Sequence, residues 1–331
     1  MRESVSIITR TKNRPKLLGR CIRSVLDQRF RDWLHVIVND GGDAKEVENI
    51  VSQFRAEYSG RCKIVHNQRS CGRAAALNSG LRAAVSEYVA FLDDDDTWHG
   101  DFLARMISAL FETTNIEAGS AICQTEIVRE KLSTSDIIEL KREPFNPNFV
   151  CLRLSDLTIE NQFTINAIVF RRSMVDEIGS FNEKLDALED WEFNLRFHLR
   201  YDAIVVDQAL ARWHWRVGNG EISYDNSIHV SGNLHKIARA QILNDAMRGK
   251  WLDARRDVLL ILVLGGELNE LKRALEVERR SLNADRISLE AQLHLKEIEL
   301  RRVTTERDAI LQSSAWRMTY PLRKSVGLFL R

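Results

Sequence analysis

The stretch Tyr88-Val89-Ala90-Phe91-Leu92-Asp93-Asp94-Asp95-Asp96 sets five apolar residues directly against four carboxylates. The apolar run reads as a strand buried on both faces, of the kind that parallel sheets contain. The carboxylates then stand where the strand ends, which in open α/β sheets is the edge that binds ligands. Two unit charges ~4 Å apart repel by about 4 kcal/mol at an effective dielectric of 20. Such a run needs a cation, a proton or wide solvation, and one divalent cation, Mn2+ or Mg2+, is the economical answer. Side chains at i and i+2 of a strand lie ~6.5 Å apart. One carboxylate therefore binds the ion directly, and ligand phosphates complete its shell. A charge run is ordinarily a solvated turn; its place after a buried strand is what argues for a site.

Outward from that strand, short β-branched runs alternate with helical patterns. Val5 to Thr9 is followed by a helix over Lys16 to Asp27, and Leu34 to Val38 by one over Glu46 to Tyr58. Cys62 to Val65 is then followed by a helix over Arg73 to Val85, which leads into the acidic strand. This rhythm predicts βαβ units and a mainly parallel sheet. Pro15 suits the first turn of the first helix, and Leu77, Leu81 and Ala84 share one buried face. Asp40, in Val38-Asn39-Asp40-Gly41-Gly42, ends the second strand; it reads equally as a ligand carboxylate or as the N-cap of the next helix. After Ile127 the pattern loosens around Pro144 and Pro147, and a further apolar strand is expected at Ala167 to Phe170.

Two more positions carry chemistry. Glu189-Asp190-Trp191, with Glu192 next, places carboxylates beside a ring at a helix start, and a carboxylate next to a ring suits a general base facing a sugar, although helix starts favour acids for dipole reasons alone. His214, in Trp213-His214-Trp215-Arg216, is a candidate metal ligand through a neutral imidazole nitrogen. The tryptophans Trp98, Trp191, Trp213 and Trp215 either stack on sugar rings or fill the core.

The 331 residues favour about two domains. Lys and Arg number 48 against 47 Asp and Glu, a net charge of +1, which argues against a nucleic-acid partner. Five scattered cysteines without a CxxC pair read as reduced thiols of a cytosolic protein. The N-terminal residues do not fit a signal peptide. The longest apolar run, Val258 to Leu264, is far short of the ~20 residues that cross a bilayer. P-loop, dinucleotide, zincin and serine-hydrolase motifs do not occur.

The globular pattern ends near Ile222, and helices are expected at His229 to Ala246 and Trp251 to Leu264. Leu264, Leu268, Leu271, Leu275 and Leu282 then keep an a/d spacing, which Leu289, Leu293, Leu300, Val303 and Ile310 resume after a four-residue stutter. The pattern predicts an intermolecular coiled coil, and so a homo-oligomer; a helix packed on its own domain is the alternative. The tail from Ser313 is basic and aromatic without one acidic residue, which suits an anionic membrane surface, a frayed end or a contact with a partner helix.

Taken together, seven stretches in order resemble the family 2 glycosyltransferases. They are Ser6 to Pro15, Ser24 to Gln28, Val38 to Gly42, Ala76 to Gly80, Phe91 to Asp96, Gly179 to Glu183 and Glu189 to Trp191. The resemblance implies the GT-A fold, an α/β Rossmann-like sheet flanked by helices, and here a C-terminal α-helical coiled coil follows it. With the resemblance covering roughly Ser4 to Ser223, the domain plan expected is 1–225 for the glycosyltransferase and, from the sequence pattern, 226–263 for a helical extension, 264–311 for the coiled coil and 312–331 for the tail. The resemblance also implies roles. Thr11 and Asp40 hold the nucleotide, with Asp40 on the base; Arg73 meets base or phosphate; Asp93, with Asp94 beside it, meets the ribose; Asp95 holds the metal; and Asp190 is the catalytic base of an inverting transfer. The chain departs from the pattern at Arg10-Thr11-Lys12, where many members have Pro-Thr-Tyr, and at Leu77, where arginine is common. The stretch Ser314 to Arg323 is similar to the ends of some bacterial polysaccharide glycosyltransferases. That similarity implies surface-polysaccharide assembly on a lipid-linked acceptor by a cytoplasmic enzyme at the inner face of the membrane. Two other readings stand beside this one: a haloacid-dehalogenase-type phosphatase with Asp93 as nucleophile, and a non-catalytic coiled-coil scaffold.

Overall fold

The computed structural model describes residues 4–132, 137–216, 232–248 and 256–318, and the chain divides into two units, Met1–Gly266 and Glu267–Arg331. The first unit opens with the alternation expected: β1 (Val5–Thr11), α1 (Pro15–Leu26), β2 (Trp33–Asp40), α2 (Ala44–Gln53), α3 (Arg55–Tyr58), β3 (Cys62–Asn67), α4 (Arg73–Ala83) and β4 (Tyr88–Phe91). Pro15 sits in the first turn of α1, where its missing N–H has no helical partner to lose. The single helix expected over 46–58 is broken at Phe54, whose φ of −105° and ψ of 9° leave the helical region. Asp43 caps α2 by accepting from the backbone N–H groups of Lys45 and Glu46.

The chain continues through β5 (Thr97–Trp98), α5 (Phe102–Glu112), β6 (Ala118–Leu132), β7 (Ile137–Pro144), α6 (Leu154–Ile159), a 3-10 turn (Ile165–Ala167), β8 (Ile168–Arg171), α7 (Arg172–Ile178), α8 (Glu189–His198) and β9 (Asp202–Arg216). Among the described residues the nine strands form one sheet of order β3-β2-β1-β4-β8-β6-β9-β5, with β7 paired to β6. The block β3-β2-β1-β4 is parallel throughout. Beyond it the sheet is mixed: β8 lies antiparallel to both β4 and β6, whereas β6 and β9 are parallel. The change follows the connections, because antiparallel neighbours need no crossover helix and the strict helix–strand alternation stops after β4.

The core centres on the parallel block, where Ile7, Ile8, Val36, Ile37, Val89 and Phe91 are fully buried. Helix α4 lies directly on this block. A Cβ at Gly80 would sit 2.3 Å from Ile8 Cγ2, so glycine there is what lets the helix approach. Trp98 and Trp191 are core residues, at 2% and 1% exposure. All five cysteines are unbridged.

C-terminal to the sheet come α9 (Gly232–Met247), α10 (Arg256–Gln312) and α11 (Ser314–Met318). The second expected helix and the heptad segment are thus one continuous helix. The boundary near 225, the start of that helix at Trp251 and the tail from Thr319 lie outside the described residues. Among the described residues no helix is long and apolar enough to cross a membrane.

Candidate functional site

Strands β1, β2 and β4 run side by side in register, with Ile8 beside Val36 and Phe91. Their carboxyl ends therefore deliver Thr11, Asp40 and the Asp93–Asp96 turn to one edge of the sheet. Each carboxylate of the turn has a different neighbour. Asp93 takes a bidentate pair from the Arg10 guanidinium, at 2.8 and 3.0 Å. Asp94 accepts from the Thr11 hydroxyl at 2.6 Å and from Arg14 at 3.3 Å. Asp95 faces Arg14 at 3.2 Å and the Nη2 of Arg216. Asp96 turns inward to the His214 backbone N–H at 3.0 Å and to the Asn166 side-chain amide at 2.9 Å, and so ties the turn to the core.

The arginine of β1 also reaches across to helix α8. Its Nη1 donates to Glu189 Oε1 at 2.8 Å, and Arg73, the first residue of α4, approaches the same oxygen at 3.0 Å. Glu189 is buried, and its Oε2 has no hydrogen-bond partner. Asp190 follows, with its carboxylate held by the Asn161 amide at 3.0 Å and by the Trp191 backbone N–H at 2.8 Å. One chain of ion pairs, Asp93–Arg10–Glu189–Arg73, thus joins the acidic turn to the helix that carries Asp190.

Electrostatics separates these acids. Burial works against the charge of Glu189, yet Arg73 and Arg10 hold its pKa down to about 2. Asp190 is pushed the other way, by burial and by the charge of Glu189. Within the turn, burial and the charge of Asp95 raise Asp94 to about 7, while Arg216 and Arg14 outweigh burial and keep Asp95 at about 2. Asp96 rises well above the carboxylate range through burial and the nearby acids.

Asp40 lies on the flank of this cluster. Its oxygens accept from the Asn67 amide, the Ser70 hydroxyl and the backbone N–H groups of Cys71 and Gly72 at 2.8–3.2 Å. Burial opposes its charge, but these bonds keep its pKa below the ordinary value. It is not the cap of α2, a place that Asp43 fills, and it anchors the loop leading into Arg73. Gly41 makes that closure feasible: its φ is +72°, and a Cβ there would lie 2.2 Å from Ser70 N.

His214 lies behind the turn. Its Nε2 is 2.9 Å from the Thr97 hydroxyl and its Nδ1 is 2.8 Å from Glu130. Burial lowers the pKa of the imidazole, with the hydrogen bond to Glu130 acting against it. Glu130 also receives Arg20 at 2.6 Å and Arg216 at 3.4 Å, and Arg20 reaches the Asp95 carbonyl at 2.7 Å. Among the described residues no three acidic, histidine or cysteine side chains enclose a common point. The oxygen donors of this turn are of the kind a hard divalent cation takes, and Asp95 already faces the guanidinium groups of Arg14 and Arg216, which a cation bound there would displace.

Thr11, Asp93, Asp94 and Asp95 come together directly, and Arg73 and Asp190 join them through Glu189. The sequence did not reveal Glu189 and Arg10 as a connected pair, and it gave no role to Arg14, Arg20, Glu130 or Arg216. Arg10 was visible as a departure from the family pattern. Arg20, Glu130 and Arg216 look in sequence like ordinary charges of helix and strand, and Arg14 like one of the loop before α1.

Residues 6–179 match the model of glycosyl transferase family 2. The chain is 27% identical over 236 residues to WcaA of Escherichia coli K12, named as a colanic acid biosynthesis glycosyl transferase, covering 70% of this chain and 79% of that one. It is 29% identical over 194 residues to a PGL/p-HBAD biosynthesis glycosyltransferase of Mycobacterium tuberculosis, covering 58% and 68%. Among solved structures it resembles S. aureus TarS 1-349 in complex with UDP, with a TM-score of 0.57 and 18% identity over 78% of this chain and 69% of that one. It also resembles the mannosyltransferase PcManGT of Pyrobaculum calidifontis in complex with GDP-Man and Mn2+, with a TM-score of 0.56 and 18% identity over 96% and 83%. At these identities the two structures show a shared fold.

Proposed function

The chain belongs to glycosyl transferase family 2, and from that premise we propose that it moves a sugar, with inversion, from a nucleotide-sugar donor to a hydroxyl of a lipid-linked glycan in surface-polysaccharide biosynthesis. The observation that carries this reading is the convergence on one sheet edge of Thr11, Asp40 and the acidic turn, linked by Arg10 and Glu189 to Asp190. The named complexes of TarS with UDP and of PcManGT with GDP-Man and Mn2+ support a nucleotide-sugar donor and a divalent cation.

In this reading Asp40 meets the base, Asp93 the ribose, Thr11 and Asp94 the nucleotide beside it, and Arg73 the base or a phosphate. Asp95 would hold the cation, which when bound offsets the negative charge of the leaving diphosphate. His214 is a second candidate ligand, and a cation there would replace one of its bonds to Thr97 or Glu130. Asp190 takes the proton from the acceptor hydroxyl as that oxygen bonds to the anomeric carbon. The bond from that carbon to the diphosphate oxygen breaks on the opposite face, and its electron pair leaves with the nucleoside diphosphate. Raising the pKa of Asp190 makes it a stronger base, and Arg10 and Arg73 keep Glu189 from competing for the proton. Family membership displaces the phosphatase reading of Asp93.

The proposal extends to a homo-oligomer through α10 and to peripheral contact with the inner face of the cytoplasmic membrane. Replacing Asp190 with Asn is expected to lower turnover by about 10²–10⁴-fold, the usual contribution of a general base, while nucleotide affinity measured by titration stays near normal. Full activity in Asp190→Asn would remove it as the base.

A further inference from the structure

Helix α10 carries a row of exposed apolar side chains. Leu268, Leu271, Leu275 and Leu282 before the stutter, and Leu300, Val303 and Ile310 after it, are 48% to 67% exposed. The row runs about 63 Å at 1.5 Å per residue, on a helix otherwise rich in charge. An apolar seam of that length is a surface for a second helix. Charges interrupt it, and their sign depends on the half. Glu278 and Asp285 occupy seam positions N-terminal to the stutter, whereas Lys296 and Arg307 occupy them C-terminal to it.

We infer that this seam is the interface of a homodimer in which two copies of α10 run antiparallel, so that the acidic seam positions of one copy lie towards the basic seam positions of the other. The inference rests on the homo-oligomer reading above and adds the occupant and its direction. Antiparallel coiled coils set a positions of one helix against d positions of the other. One register satisfies this over 275–289 of one copy and 296–310 of the other: Leu275 meets the second copy's Ile310, Leu282 the second copy's Val303, and Glu278 the second copy's Arg307. Symmetry makes each pair occur twice. On the flank of the seam Arg286, which pairs within its own helix with Glu290 at 2.8 Å, also comes opposite the second copy's Glu297. Asp285 stands opposite the second copy's Leu300, and Leu289 opposite its Lys296, one turn away.

A parallel pair gives the opposite result. It sets Glu278 against Glu278, Asp285 against Asp285, Lys296 against Lys296 and Arg307 against Arg307, four like-charge layers in a seam that excludes water. Such layers act as repulsive elements against the parallel arrangement.

The test uses the full chain with the exposed thiols removed (Cys71→Ser and Cys151→Ser), carrying either Leu282→Cys or Val303→Cys. In the antiparallel dimer each new thiol is about 31 Å along the helix from its own copy but beside the other. Each variant alone is expected to form no disulfide-linked dimer under mild oxidation, and the mixed pair to form one readily. Light scattering is expected to give twice the chain mass. A monomeric mass would overturn both the oligomer and this interface. A dimer in which Leu282→Cys links to itself would overturn the antiparallel direction alone, and a trimeric mass would overturn the dimer.

Discussion

His35 is fully buried on β2, with Nδ1 2.7 Å from the Tyr58 hydroxyl and Nε2 2.9 Å from the Thr9 hydroxyl. Burial lowers its pKa from 6.5 to about 3, so the folded chain holds a neutral ring where the unfolded chain binds a proton. The stabilising contribution is complete above pH 6.5 and is lost as the pH falls towards 3, by about 1.4 kcal/mol per pH unit. Denaturant titrations between pH 4 and 6 should show a shallower pH dependence in His35→Gln, by about one proton. An unchanged slope would mean that His35 is not the group responsible. Nothing near His35 in sequence separates this buried histidine from a solvated one, since its partners come from 23 and 26 residues away. Asp40 is similar. Sequence placed it at a strand end and left cap and ligand roles equal, and only the fold shows that Asp43 caps α2 while four donors from residues 67–72 hold Asp40.

Among the elements, α4 is the most tightly constrained by its seat. Gly80 faces Ile8 and Val38 of the two central strands, and an added Cβ would lie 2.3 and 3.3 Å from their methyl groups. Those side chains are fully buried and have no room to yield. Gly80→Val should therefore lower stability by about 1–3 kcal/mol, the usual cost of overpacking, as read by chemical denaturation; unchanged stability would mean that the helix moves at no cost. The same packing explains what was legible. Strands buried on both faces, such as Val36-Ile37-Val38 and Val89-Ala90-Phe91, announce themselves as apolar runs. Strand β7 does not, because Ile137–Pro144 is charged and mostly exposed, and its partner β6 alone defines it. The break at Phe54 was equally hidden, since the apolar spacing continues through it.

At the scale of the molecule, the βαβ rhythm was enough to place the parallel block and the sheet edge that carries the acidic turn. The mixed remainder was not legible, because pairing order beyond β4 depends on long connections that have no local signature. The joining of Asp93 to Glu189 spans 96 positions and is likewise a product of the fold. The central claim is that this edge binds a nucleotide with a divalent cation. Calorimetric titration of the full chain with UDP, dTDP and GDP, each with and without Mn2+, tests it most directly. Tight binding of one nucleotide that depends on the cation is the result expected; no binding of any of the three, with or without Mn2+, would contradict the account.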